Sequence, residues 1–175
     1  MQLDPDAHLI ASRTGAGKGI INMERPRGRY FEEFTAGVVV TSGTRTITEA
    51  DILGFAELTG DNNRLHTDPD FARKGPFGRQ IAHGLLGASI AVGLLVRTGF
   101  IDGTLIAFRE LTWKFNLPVY LGDTIRARAT TGELRLLSRL NAGAVTIGVE
   151  VLNQDGKTVQ SGQWLALVKL RPEDA

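Results

Sequence analysis

The segment that most constrains the fold is residues 84–98, which is apolar or small at nearly every position. Its uninterrupted part, residues 85–96, is far shorter than the ~20 apolar residues that a membrane-spanning helix needs. If residues 84–98 form a helix, one stripe of its surface consists of small residues and a second stripe is mostly apolar. Very little of the helix surface is then polar. A helix that is apolar all round is buried all round. We therefore predict a helix at 84–98 that the rest of the domain surrounds.

The second half of the chain predicts strands, because long runs there are rich in β-branched and aromatic residues. These runs cover residues 104–115, 123–131, 134–152 (with a break near 141–143) and 157–170. Apolar residues alternate with others from Val145 to Val151, which is typical of an antiparallel strand with one face on a core. Because strands and helices do not alternate, the fold class is α+β, with an antiparallel sheet wrapped around one long central helix.

Shorter elements precede the long helix. Residues 38–46 predict a strand, and Thr48 followed by Asp51 predicts a capped helix over 49–59 that Gly60 ends. Asp68 and Pro69 are typical of a helix start and predict a short helix through 71–73. Residues 60–68 are mostly polar and predict a loop between the two helices.

The first 28 residues differ from the rest, since glycine, proline and arginine interrupt them. We interpret 1–28 as an arm that is flexible or wraps a partner, and 29–175 as one domain. The run GAGKG at 15–19 resembles part of a phosphate loop, but Gly19 stands where that loop needs Ser or Thr after Lys18.

Composition excludes several classes of function. The chain has 20 Lys+Arg against 19 Asp+Glu, a formal charge of +1, and no cysteine. Disulfides and thiolate metal sites are excluded, and no clustered basic surface is expected for nucleic acid. Neither a membrane segment nor a secretory signal pattern is present, so we expect a cytoplasmic protein with no nucleic-acid or membrane partner.

Asp61 and His66 are the residues that suggest chemistry. The polar loop that contains them allows the carboxylate and the imidazole to face each other across a turn. Such a pair suits general acid and base work near neutral pH. Two residues alone also fit a purely structural role, with Asp61 in a turn and His66 at the surface.

Three segments resemble one known family. They read GDNNRLHTD at 60–68, FGRQIAHGLL at 77–86 and KFNLPVYLGD at 114–123. In this order they are similar to the signatures of the MaoC-like hydratases, the (R)-specific enoyl-CoA hydratases and acyl dehydratases of the hot-dog fold. The resemblance runs from about residue 30 to 170.

This resemblance implies a function and a site. It implies reversible hydration of a trans-enoyl thioester to the (R)-3-hydroxyacyl thioester, with Asp61 and His66 as the catalytic acid–base pair. Gly84, at the predicted start of the central helix, would lie where backbone N–H groups and the helix dipole stabilise the thioester oxyanion. Asn63 and His83 would support the loop.

The resemblance also implies what the site binds and how the chain assembles. The substrate is carried on coenzyme A or an acyl carrier protein, with no metal and no separate cofactor. The expected assembly is a homodimer or a dimer of dimers. Arg126 and Arg128 could meet coenzyme A phosphates, although such spacing is more typical of a solvated strand face.

Two departures from the family motif concern the substrate. Arg64 replaces the usual proline of G-D-x-N-P-x-H, and Val92 stands where several relatives carry serine. Two other functions stay open: a hot-dog thioesterase, and an acyl-thioester binding module without catalysis. Residues 85–96 contain no Asp or Glu, whereas the thioesterases place a carboxylate on or beside the central helix; a binding module would be expected to lose Asp61 or His66.

Overall fold

A computed structural model describes residues 28–172 of the 175-residue chain. The predicted arm lies outside the described residues except for its last residue, Gly28. Four α-helices and five strands follow in chain order: β1 Val39–Thr46, α1 Glu49–Thr59, α2 Arg64–Thr67, α3 Pro69–Lys74, α4 Gly84–Val96, β2 Leu105–Phe115, β3 Thr124–Leu137, β4 Ala142–Leu152 and β5 Thr158–Lys169.

The five strands form one antiparallel sheet in the order β1-β3-β4-β5-β2. On β4, Val145, Ile147, Val149 and Val151 are buried, whereas the residues between them are half-buried. The alternation places one face of the sheet on a core and the other face outward. The α+β hot-dog arrangement expected from the sequence is therefore confirmed.

The strand boundaries between residues 131 and 142 differ from the prediction. β3 continues to Leu137 across a bulge between Thr131 and Leu134, where the sequence suggested a gap between two strands. The chain then turns through Ser138–Leu140 and Asn141, whose φ is 47°, before β4 begins. A bulge adds residues to one strand without ending its pairing. Residues 132–133 therefore suggested a gap between two strands, although one strand continues through them.

Helix α4 is the centre of the core, as its apolar sequence requires. Six of its residues are buried, among them Ala91 and Leu95 with no exposed surface. Ala91 and Leu95 belong to one hydrophobic cluster with inward side chains of the sheet, such as Ile147 and Trp164. The helix ends two residues before the predicted residue 98. No helix in the described part of the chain has the length and apolarity that crossing a bilayer needs.

Helix α1 begins with reciprocal hydrogen bonds between its first turn and the residue before it. The Thr48 hydroxyl accepts from the Asp51 N–H at 3.2 Å, and the Asp51 carboxylate accepts from the Thr48 N–H at 2.9 Å and from Arg45. Partial burial alone would raise the pKa of Asp51. The hydrogen bonds from Thr48 and the guanidinium of Arg45 outweigh that effect and hold the pKa below its usual value.

Candidate active site

The loop after α1 is built by local hydrogen bonds. Gly60 ends α1 with a φ of 77°, which an L side chain would adopt only with strain. Asp61 accepts the Asn63 N–H at 3.3 Å, and the Asn63 side chain accepts the Leu65 N–H at 3.1 Å, so that Asn63 caps α2. The predicted loop thus contains a four-residue helix. This helix orients His66, which is its third residue.

The ring of His66 is fixed by a backbone carbonyl. Its Nδ1 lies 2.9 Å from the oxygen of Ile81, and since a carbonyl can only accept, Nδ1 carries the hydrogen. In the neutral ring Nε2 therefore bears a lone pair. Gln80 donates its side-chain N–H to the backbone oxygen of His66, which fixes the same residue from its main chain.

His83 holds the other partner of the predicted pair. Its Nε2 lies 2.9 Å from the backbone oxygen of Asp61, so it donates to that carbonyl. Only 3% of His83 is exposed, and its Nδ1 is buried without a partner among the described residues. The arrangement suits a neutral imidazole, because Nδ1 then carries no hydrogen to satisfy. His83 thus packs below the loop and ties Asp61 to the start of α4.

Asp61, His66 and His83 form one cluster, in which one nitrogen or carboxylate oxygen from each residue lies within 4.8 Å of the others. Two imidazoles and a carboxylate are possible metal ligands. The His66 and His83 rings, however, overlap with centroids 3.9 Å apart and planes inclined by 31°. Each ring already binds a backbone carbonyl through one nitrogen, which leaves one nitrogen of each imidazole for a proton or a metal ion.

The start of α4 lies next to this cluster. His83 is the residue before the helix, and its side chain does not cap it. The N–H groups of the first turn have no acceptor within the helix and carry the positive end of its dipole. A Cβ on Gly84 would lie 2.6 Å from a ring carbon of Phe115, so the structure gives a further reason for the missing side chain: Phe115 packs there.

These groups surround one pocket of about 450 Å³. Its polar lining includes Asp61, His66, His83 and Gln160. Its apolar lining includes Phe55, Phe77, Leu85, Phe115, Leu117 and Val119. All three sequence segments singled out above therefore meet at this pocket, which offers an apolar chamber with an imidazole and a carboxylate at one side.

Known proteins identify the family. The MaoC like domain family matches residues 31–153, which is more than half of the chain. The chain belongs to the MaoC-like dehydratase family. The resemblance of the three segments is thereby confirmed, and the protein is a hydro-lyase.

Individual MaoC-like relatives are similar over most of their length. The 3-hydroxybutyryl-CoA dehydratase of Methylorubrum extorquens is 34% identical over 126 residues, which is 70% of this chain and 78% of the relative. The (R)-specific enoyl-CoA hydratase of Aeromonas caviae is 35% identical over 121 residues, 69% and 84% respectively. The solved MaoC-like dehydratase of Rhodospirillum rubrum superposes with a TM-score of 0.76 at 28% identity and covers 83% of this chain and 100% of its own.

Arg64, the residue that departs from the MaoC-like motif, does not line the pocket. It is the first residue of α2, a position that suits proline because its N–H has no helical acceptor. Here its guanidinium binds Asp68 at 2.8 Å and lies 4.6 Å from the centre of the Phe71 ring. The hydrogen bond from the Phe71 N–H, followed by that from Arg64, lowers the pKa of Asp68. Arg64 thus joins α2 to α3 and keeps its charge outside the chamber.

Arg126 and Arg128 take the solvated strand-face position that their spacing favoured, whereas one polar residue of the pocket was not anticipated. Arg126 and Arg128 lie on the outward face of β3, where Arg128 binds Glu150 at 2.7 Å, and neither lines the pocket. Gln160 does line the pocket, although no sequence pattern distinguishes this glutamine within its strand. The buried amide could have been noticed only as a polar residue at an inward position of β5.

Proposed function

We propose that this MaoC-like protein hydrates a trans-enoyl thioester reversibly to the (R)-3-hydroxyacyl thioester, with Asp61 and His66 as its acid–base pair. The observation that carries the proposal is that these two side chains and the uncapped start of α4 face one mostly apolar pocket. The apolar wall suits an acyl chain, and the polar side suits the reacting end. Hydratase and dehydratase relatives support the same reaction type.

The mechanism follows from the fixed tautomer of His66. Its Nε2 lone pair accepts a proton from water while the water oxygen bonds to the β-carbon, and the Asp61 carboxylate accepts the other O–H of the water. The π pair of the carbon–carbon double bond moves between the α-carbon and the thioester carbon, and the carbonyl π pair moves to the thioester oxygen, which gives the enolate. The imidazolium then gives its proton to the α-carbon, and the thioester carbonyl re-forms. Dehydration is the same sequence in reverse, and no other group enters or leaves.

The enolate oxygen needs donors that are in place before it forms. The N–H groups of the first turn of α4, at Gly84 and Leu85, are such donors, and the helix dipole adds to them. A single preorganised donor of this kind contributes about 3–4 kcal/mol to the transition state in other enzymes. The carrier of the thioester can be coenzyme A or a carrier protein, since the chamber itself recognises only the acyl end.

The direct experiment follows the loss of the conjugated thioester absorbance with trans-enoyl-CoA substrates of increasing chain length. An (R)- or an (S)-specific hydroxyacyl-CoA dehydrogenase, added separately, then reads the stereochemistry of the product. Release of free thiol from saturated acyl-CoA faster than hydration of the matching enoyl-CoA would establish the thioesterase in its place. Tight binding of enoyl-CoA without turnover would establish the binding module.

We further propose a homodimer. Strand β2 is at one edge of the sheet, and Ile106, Leu111 and Phe115 on it are about half exposed. An exposed apolar edge strand is a site of association unless something covers it. Because Phe115 also lines the pocket, a partner at this edge would complete the chamber. Sedimentation velocity should show a dimer of this 18.9 kDa chain, and a stable monomer with full activity would contradict the proposal.

A further inference from the structure

Gln160 is a buried polar group in the pocket wall that the reaction above does not use. It lies on β5 and is only 2% exposed. Burying an amide is costly unless it is hydrogen-bonded. Both ends of this amide have partners: Oε1 accepts the Trp113 indole N–H at 3.1 Å, and Nε2 donates to the Gly84 carbonyl at 3.0 Å. The side chain therefore connects strand β2 to the first residue of α4.

The orientation of the amide is determined on both sides. A flipped amide would place its oxygen against the Gly84 oxygen and its NH₂ against the indole N–H, so both hydrogen bonds would be lost. The indole itself packs against Gly162, where a Cβ would lie 2.2 Å from Trp113 Cε3. Gly87 leaves room on the other side, since a Cβ there would lie 2.6 Å from Nε2. Two glycines and one indole thus hold the amide in a single position.

We propose that Gln160 is a positioning residue that aims the Leu85 N–H at the developing enolate oxygen. In a planar trans peptide the carbonyl oxygen and the next N–H point in opposite directions. When Gln160 holds the Gly84 oxygen, it also fixes the direction of the Leu85 N–H at the start of α4, beside the pocket that Leu85 lines. This inference rests on the proposed function, because the oxyanion belongs to that reaction.

The first test compares Gln160→Met and Gln160→Glu with wild type, using trans-but-2-enoyl-CoA as the probe. Methionine keeps the shape and removes both hydrogen bonds, whereas glutamate keeps an acceptor for Trp113 and removes the donor to Gly84. A donor that points slightly away from the oxyanion loses less transition-state stabilisation than a donor that is deleted. We therefore expect kcat to fall about tenfold, whereas deleting a donor lowers kcat 100-fold or more. KM should stay within about twofold of the wild-type value, because the direction of the Leu85 N–H matters mainly in the transition state.

The matched control is Gln163→Met, which makes the same change on the exposed face of the same strand. Its kcat should equal that of wild type. A wild-type kcat in Gln160→Met, or a defect confined to KM or to the melting temperature, overturns the proposal. Gln160→Glu should lose at least as much as Gln160→Met, and full activity in the glutamate variant also overturns it, since the donor would then be unnecessary.

A second measurement does not depend on activity. The amide ¹H and ¹⁵N resonances of Leu85 should shift in Gln160→Met and stay in place in Gln163→Met, because only the first variant removes the side-chain hydrogen bond to the Gly84 carbonyl. If wild type hydrates no enoyl thioester, the proposed function fails, and the Leu85 resonances still decide whether Gln160 sets that N–H. Unchanged Leu85 resonances in Gln160→Met overturn the positioning role even if hydration is confirmed.

Discussion

Replacing Gly87 with alanine should destabilise the fold, although alanine is the better helix former. Gly87 lies on the buried side of α4, and an ideal Cβ there would be 2.6 Å from Gln160 Nε2. Ordinary contact begins at 3.4 Å, so the two groups must separate by 0.8 Å. Gln160 cannot move that far freely, because Trp113 and the Gly84 carbonyl hold both ends of its amide.

The size of the effect follows from three opposing contributions. Alanine in a helix is favoured over glycine by about 1 kcal/mol. Overpacking of a filled core costs about 1–3 kcal/mol, and each weakened hydrogen bond of the amide costs about 1 kcal/mol. The unfolding free energy should therefore fall by about 2 kcal/mol. For a chain of this length that lowers the melting temperature by about 4–8 °C.

The same helix offers a matched control in Gly93→Ala. A Cβ on Gly93 meets nothing within 4 Å, and the residue is exposed, so only the helix preference changes. Its melting temperature should rise by about 2–4 °C. Both variants are compared by calorimetry at one protein concentration, because assembly stabilises oligomers by mass action. Equal stability of the two variants would refute the argument that Gln160 is held in place.

Asp61→Asn and His66→Ala should each abolish most hydration while the melting temperature stays near that of wild type, since Asp61 lies on the loop and His66 on the short helix α2, both outside the core cluster. Dialysis against a chelator should leave the hydration rate unchanged, and a loss that Zn²⁺ restores would show that the Asp61, His66 and His83 cluster binds a metal. Asp51 has a lowered pKa in the folded state, so its ionised form stabilises the fold. This contribution to the free energy of unfolding is complete above the unfolded carboxyl pKa of about 4, and it is lost as the pH falls through the folded pKa. Asp51→Asn should therefore flatten the acid side of a plot of melting temperature against pH, and an unchanged acid slope would contradict this.

Local sequence signals predicted the elements that have strong periodicity and defined ends. Helix α1 was predicted to the residue, because Thr48 and Gly60 mark its two ends. The buried helix α4 followed from its apolar composition alone. Helix α2 was missed, since four residues are too few to show a helical period and only the Asn63 cap marks its start. The bulge in β3 was missed because a bulge depends on the pairing of two strands.

The sequence singled out residues that meet at one pocket, but not the contacts that hold them there. Asp61, His66, His83 and Gly84 could be singled out from short motifs, and the structure brings them to one pocket. The contact of His66 with Ile81 spans 15 residues, and that of Gln160 with Gly84 spans 76. Neither follows from spacing along the chain, since each depends on how α4 packs inside the sheet. The tautomer of His66 and the hydrogen bond from Gln160 to Gly84 therefore could be established only from the structure.

The polar side chains around the pocket share one mode of support. His66 is held by the Ile81 carbonyl and Gln160 by the Gly84 carbonyl, while His83 holds the carbonyl of Asp61. Each of these three side chains has a backbone partner, and none of the three hydrogen bonds involves the carboxylate of Asp61. A single substitution at Asp61 then leaves His66 and the start of α4 where they were. Because preorganised geometry survives such a change, the rate lost in Asp61→Asn measures the chemistry of the carboxylate itself rather than a collapse of the site.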